Sequence, residues 1–296
     1  MRHLQTLRLI QDVARAGSIR KAAEDQNITS SALNRRIQAF EAEFGSQIFE
    51  RLPRGVRLNP AGELLVQHIR SQVSDLERIR GQVADLSGAR RGHVSIACSQ
   101  AVNPIFLPEQ ISRYRAEHPA VTFSVRVRDR AAAERELSSF SSDLALVFEP
   151  VYLADFEVIK AITQPVCAVM AADHPLAARS NLRLYDCLDV PHMVPSEEYG
   201  VRNLLEIATH GRSRRLAPVI EADSFEMMRQ YVLYEPIVSF QIPIGLPADP
   251  QLVIRPLPQR DIRQGLLLLG QMRGRALPVA SAKFALQLAA AFEALA

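Results

Sequence analysis

Only three cysteines occur in the 296 residues. Cys98, Cys167 and Cys187 are odd in number, far apart and set among apolar, strand-like neighbours. That argues against a disulfide framework and a thiolate metal site, and for three buried, reduced thiols. No apolar run approaches the roughly 20 residues needed to cross a bilayer, and the first residues, with Arg2, His3, Gln5 and Arg8, hold no apolar stretch of a secretion signal. A cytoplasmic protein without membrane contact is the expectation. Enzyme signatures are missing as well: there is no Gly-x-Ser-x-Gly elbow, no Gly-rich phosphate loop ending in Lys, no His-Glu-x-x-His and no Cys-x-x-Cys. The histidines never reach ligand spacing on one face, so neither a metal nor another cofactor is expected.

What is present is enough apolar residue, 48% of the chain, for at least two cores. The net charge of +3 is small but uneven: residues 1–60 hold ten lysines and arginines against six acidic residues, so the basic excess sits there. A local excess suits a module that neutralises DNA phosphates.

Leu4, Leu7, Ile10, Val13 and Ala14 recur at helical spacing and predict a first helix ending near Gly17. Ser18 caps a second helix whose Ala22 and Ala23 permit close approach, as a helix-turn-helix requires. Thr29 caps a third, from Ser30 to Glu41, with Leu33, Ile37 and Phe40 facing inward. Its other face offers Ser30, Ser31, Asn34, Arg35 and Gln38, side chains that reach base edges and phosphates in a major groove. A short hairpin from Glu50 to Leu58 follows, turned by Pro53 and Gly55. Its Arg51, Arg54 and Arg57 suit phosphates or a narrow minor groove, as a wing would. Asn59 and Pro60 then open a new helix.

This run resembles the LysR-type transcriptional regulators. Gly17-Ser18, Ala22-Ala23-Glu24, Ser31-Ala32-Leu33, Arg36-Ile37, Phe40-Glu41, Phe44-Gly45, Ile48-Phe49-Glu50-Arg51 and Asn59-Pro60-Ala61-Gly62 carry the likeness across some sixty residues in order. Asn59 stands where the family usually has Thr and keeps the capping chemistry. Asn34 stands where it usually has Ser, and an amide can pair bidentately with adenine while a hydroxyl cannot.

From Pro60 to about Ser87 no proline intervenes. Leu65, Ile69, Leu76, Ile79, Val83 and Leu86, with polar Gln72 among them, form a heptad seam that predicts pairing with a second copy. The resemblance implies dimers that assemble further into tetramers, double-stranded DNA with an interrupted inverted repeat in promoter regions as partner, and RNA polymerase as a further candidate. Residues 88–92 read as a hinge.

Beyond it, strands are expected at Val94 to Cys98, Val121 to Val127, Leu144 to Phe148, Val166 to Ala171, Val219 to Ala222, Ile237 to Phe240 and Leu266 to Leu269. Helices are expected at Leu107 to Glu117, Arg130 to Ser138, Val201 to His210, Ser224 to Tyr234 and Ala280 to Leu295. The alternation implies mostly parallel sheets with helices outside. The fold class is therefore multidomain: an all-α winged helix-turn-helix at 1–59, a linker helix and hinge at 60–91, and a two-lobed α/β effector domain at 92–296. The lobes divide as 92–162 with 266–296, and 163–265. The last part is Rossmann-like and looks like the family's effector domain, itself similar to periplasmic binding proteins.

In open α/β folds a ligand sits beyond the carboxyl ends of the strands, near helix N-termini. That rule selects Ser99, Gln100, Ala101, Phe148, Glu149, Pro195, Ser196, Phe240 and Gln241 for a small-molecule effector, a small polar or carboxylate metabolite. Glu149 would repel a carboxylate unless Arg128 or Arg202 compensates, which keeps an amphoteric or hydroxylated ligand in play. Besides an effector-responsive regulator, the sequence leaves open an architectural DNA binder and an α/β enzyme with a DNA tether.

Overall fold

The computed structural model describes residues 2–53, 55–86, 92–151, 155–211 and 215–295. They form two compact units, residues 1–79 and 80–296.

In the first unit, helices α1 (Arg2–Ala16), α2 (Ile19–Asp25) and α3 (Ser30–Phe44) precede a hairpin of β1 (Phe49–Leu52) and β2 (Gly55–Leu58), and α4 (Pro60–Leu86) follows. The expected caps form. Ser18 accepts from the Lys21 amide at 3.4 Å and Thr29 from the Ala32 amide at 3.2 Å, and left-handed Gly45 ends α3. Leu7, Ile10 and Val13 of α1 close on Ala22, Ala23, Leu33, Ile37 and Phe40 in one core. The hairpin is tied to the α1–α2 turn, because the Val56 amide donates to the Gly17 carbonyl at 2.9 Å. A Cβ on Gly55 would lie 2.3 Å from that same oxygen. Only glycine lets the wing come this close.

α4 departs from the expectation of one continuous seam facing a second copy. Val66 and Ile69 are buried in the winged-helix core and Leu65 packs against it. The seam therefore divides. Its first turns serve the chain's own core, whereas Gln72, Ile79 and Val83 are exposed and Leu76 is half-buried. The side chain of Leu86 lies outside the described residues.

The second unit holds two five-stranded sheets. One has the order β4 (Val121–Val127), β3 (Gly92–Cys98), β5 (Leu144–Phe148), β12 (Gly265–Met272), β6 (Phe156–Gln164). The other runs β11 (Leu252–Pro256), β7 (Cys167–Ala171), β10 (Val238–Gln241), β8 (His192–Pro195), β9 (Ile220–Ala222). Helices α5 (Phe106–Glu117), α6 (Arg130–Ser138) and α10 (Val279–Leu295) belong with the first sheet; α7 (Leu184–Leu188), α8 (Gly200–Thr209) and α9 (Phe225–Tyr231) fall within the second. The sheets are mixed rather than mostly parallel. β3 runs parallel to β4 and β5, but β12 opposes both β5 and β6. β8 runs parallel to β9 and β10, but β7 opposes β10 and β11. The chain passes between the lobes twice, after β6 and after β11, and each passage adds antiparallel partners that a strand-by-strand reading cannot assign.

Candidate nucleic-acid interface and interlobe cleft

α3 buries Leu33, Ile37 and Phe40 and exposes Ser30, Ser31, Arg35 and Gln38. Arg35 and Gln38 have no hydrogen-bond partner among the described residues, so their polar ends are available. Ser31 shares a hydrogen bond with Thr29 at 3.3 Å, and the Ser18 hydroxyl is taken up in capping α2. Asn34 is half-buried, and its Oδ1 accepts from Arg51 of the wing at 3.0 Å. Arg57 pairs with Glu50 at 2.6 Å, directly across the hairpin ladder. Pro53 is exposed at the wing tip; Arg54 lies outside the described residues. A groove runs between α3 and the wing, bordered by Asn34, Gln38, Gln47, Glu50 and Arg51.

The carboxyl ends of β3 and β5 meet the start of α8 and α9 across the lobes. Gln100 spans the gap. Its Nε2 donates to the Tyr199 hydroxyl at 2.5 Å and to the Asp223 carbonyl, while its Oε1 accepts from the Phe225 amide at 3.0 Å. Arg130 also bridges, donating to the Glu149 and Glu198 carbonyls at 2.9 and 3.0 Å. Two glycines let backbone approach backbone here: a Cβ on Gly245 would lie 2.1 Å from the Ala101 oxygen, and one on Gly200 2.6 Å from the Phe148 oxygen. What remains is a small cavity bordered by Ser99, Arg128, Phe148, Tyr199, Gly200 and Phe225. An outer groove beside it carries the carboxylates of Asp129, Glu197, Glu198, Glu221 and Asp223. Ser99 is occupied in capping its own turn, accepting from the Ala101 amide at 3.3 Å.

Several expected ligand-facing residues turn out to be committed elsewhere. Phe240 is fully buried in the core, against His192. Gln241, also buried, donates to the Phe225 carbonyl at 3.0 Å. Pro195 is buried in β8, and Ser196 continues the strand by donating its amide to the Ala222 carbonyl at 3.0 Å. Glu149 is neutralised by neither expected arginine. Arg128 binds Glu136 at 2.6 Å, and Arg202 binds Glu206 and Glu221 at 2.7 and 2.8 Å. It is Arg263 that grips the Glu149 carboxylate with two nitrogens, at 2.5 and 3.0 Å, and the Leu266 amide adds a third bond at 2.8 Å. Glu149 in turn holds the Arg263 guanidinium above its ordinary pKa by hydrogen bond and charge.

Residues 4–63 match the profile of the bacterial regulatory helix-turn-helix proteins of the lysR family. Residues 87–293 match that of the LysR substrate binding domain. The chain belongs to the LysR family. It is thus a transcriptional regulator with a helix-turn-helix DNA-binding domain and an effector-binding domain. The RuBisCO operon transcriptional regulator of Allochromatium vinosum is 26% identical over 229 residues, which cover 77% of this chain and 76% of that protein. A full-length cysteine-to-aspartate variant of OxyR from Pseudomonas aeruginosa superposes with a TM-score of 0.70 at 20% identity, covering 96% of this chain and 94% of that one. CbnR complexed with its target DNA superposes at 0.62 with 16% identity, covering 96% and 98%.

Sequence reasoning missed Arg130, Tyr199, Gly200, Phe225, Gly245 and Arg263. One signal was available, since Arg263 lies close to the expected lobe boundary between residues 265 and 266. Among the described residues, no helix of this LysR-family chain is long and apolar enough to cross a membrane, and no three His, Cys, Asp or Glu side chains are grouped to hold a metal. The cysteines are buried, and burial pushes each thiol up to about 12. Thiolate is the reactive form, so all three are expected to stay unmodified by a thiol reagent in the native protein and to react together on unfolding. Stoichiometric labelling of the native chain would contradict that burial.

Proposed function

We propose that this LysR-family chain presents α3 to the DNA major groove and its wing to the flanking backbone, and that a small effector bound between the lobes changes how dimers pair on an interrupted inverted repeat. The observation that carries the DNA reading is the two-faced α3, whose apolar side is sealed in the core while Arg35 and Gln38 stand exposed, without partners among the described residues. A solved relative bound to its target DNA supports the same use of the domain. Dimerisation through the later turns of α4 is supported by Ile79 and Val83, 48% and 59% exposed in a lone chain. For the effector, an inner cavity lined by Ser99, Tyr199, Arg128 and Arg130, with five carboxylates along the outer groove beside it, favours an amphoteric or hydroxylated ligand over a simple dicarboxylate.

Arg35→Ala tests the assignment. Binding to a selected operator duplex is expected to weaken by about tenfold or more, with relaxed preference at one base pair, and binding to random duplex by much less. Equal losses on both duplexes would move Arg35 from base reading to phosphate contact. The effector reading is tested by thermal shift of the full chain against a metabolite panel, since binding to the native state alone raises the melting temperature. Absence of any shift across amines, hydroxy acids and amino acids would remove it.

A further inference from the structure

Asn34 sits half-buried on α3, and the wing holds it. Arg51 donates to its Oδ1 at 3.0 Å. A guanidinium has donors and no acceptor, so the amide must turn its oxygen toward Arg51 and its NH₂ away. That NH₂ has no partner among the described residues. The other described wing arginine, Arg57, is held by Glu50 at 2.6 Å, which leaves Arg51 as the described wing cation directed at α3.

A free asparagine reads adenine with both ends of its amide, accepting from N6 and donating to N7. With its oxygen bound to a cation, the acceptor end is weakened and a positive charge stands beside it. The pair then presents donors side by side, from the Asn34 amide and the remaining Arg51 N–H groups. Guanine offers the matching edge, since N7 and O6 are both acceptors, while cytosine offers an amino donor and is rejected.

We propose that Arg51 is a specificity-determining residue, which locks Asn34 as a donor and turns its preference from adenine to guanine. The inference rests on α3 facing the groove. Its test is selection of bound duplexes from a random library by the full chain and by Arg51→Ala, Arg51→Lys, Asn34→Ala and Arg35→Ala variants. The wild type is expected to select guanine at one position of each half-site. Arg51→Ala should move that position toward adenine by about tenfold in the guanine-to-adenine ratio and leave the others alone. Arg51→Lys, which keeps a donor, should retain guanine. Asn34→Ala should erase the preference, and adding Arg51→Ala to it should change nothing more at that position. If Arg51→Ala lowers affinity on every sequence alike, Arg51 is a phosphate contact and the proposal is overturned, while a changed preference in Arg35→Ala would leave α3 as the reading helix. If no variant alters any base preference, the groove-facing assignment fails and takes the proposal with it. All four variants alter exposed or half-exposed side chains, and unchanged thermal unfolding separates misfolding from misreading.

Discussion

Replacing Arg275 by alanine is expected to destabilise residues 80–296 by about 3–5 kcal/mol, the cost of stranding a buried charge. Arg275 meets Asp143 at 2.7 Å with only 6% and 8% of the two side chains exposed. The Asp143 carboxylate also accepts from the Ser95 amide at 3.1 Å and the Ser281 hydroxyl at 2.9 Å. The group thus joins β3, the start of β5 and the first turn of α10, and it pins the C-terminal helix to its lobe. Without the guanidinium, the carboxylate keeps two neutral donors and loses its counter-charge. Replacing both residues, with Asp143→Asn and Arg275→Met, should cost distinctly less than Arg275→Ala alone, because no uncompensated charge is left inside. Urea denaturation followed through the effector domain decides this. A single-variant loss below about 1 kcal/mol, the range of surface pairs, would mean that water reaches the pair.

The second large effect is expected at Gly245→Val. The Cβ alone would sit 2.1 Å from the Ala101 carbonyl oxygen, a backbone atom that cannot swing aside. The lobes must separate or the turn at Pro243–Gly245 must shift, at a cost of about 1–3 kcal/mol for overpacking. Spin labels placed through Leu286→Cys and Tyr234→Cys, at side chains 69% and 81% exposed in opposite lobes, would report the separation. The buried native thiols would not compete for label. The valine variant is expected to show a longer, broader distance distribution and to lose any ligand-induced thermal shift. An unchanged distribution would show that the contact between these turns does not set closure.

The winged helix was legible because its signals are local. Caps at Ser18, Thr29 and Asn59 act within three residues, and the apolar positions of α3 repeat along one helix. Much of the second unit was legible for the same reason, with β4, β5 and α6 lying where their composition places them. The strands that went unread have mixed signals: β6 carries Glu157 and Lys160, β8 carries His192 and Pro195, and β11 carries Arg255 and Pro256. What local reading could not give was pairing at a distance. Glu149 finds Arg263 from 114 residues away and Gln100 finds Phe225 from 125, and no periodicity encodes either. The first turns of the α4 stripe went unread for a different reason. Helical spacing shows that a face is apolar but not what covers it, and for Ile69 the cover is the chain's own N-terminal core.

Gln100 alters what an affinity measurement on this protein would mean. Its carboxamide already binds the Asp223 carbonyl and the Phe225 amide at the head of α9. An effector entering the cleft as proposed would therefore meet a tethered rival that needs no diffusion to return. The strength with which any effector is held would be the difference between its own bonds and those the glutamine gives up, so a modest dissociation constant could conceal a tightly fitting ligand.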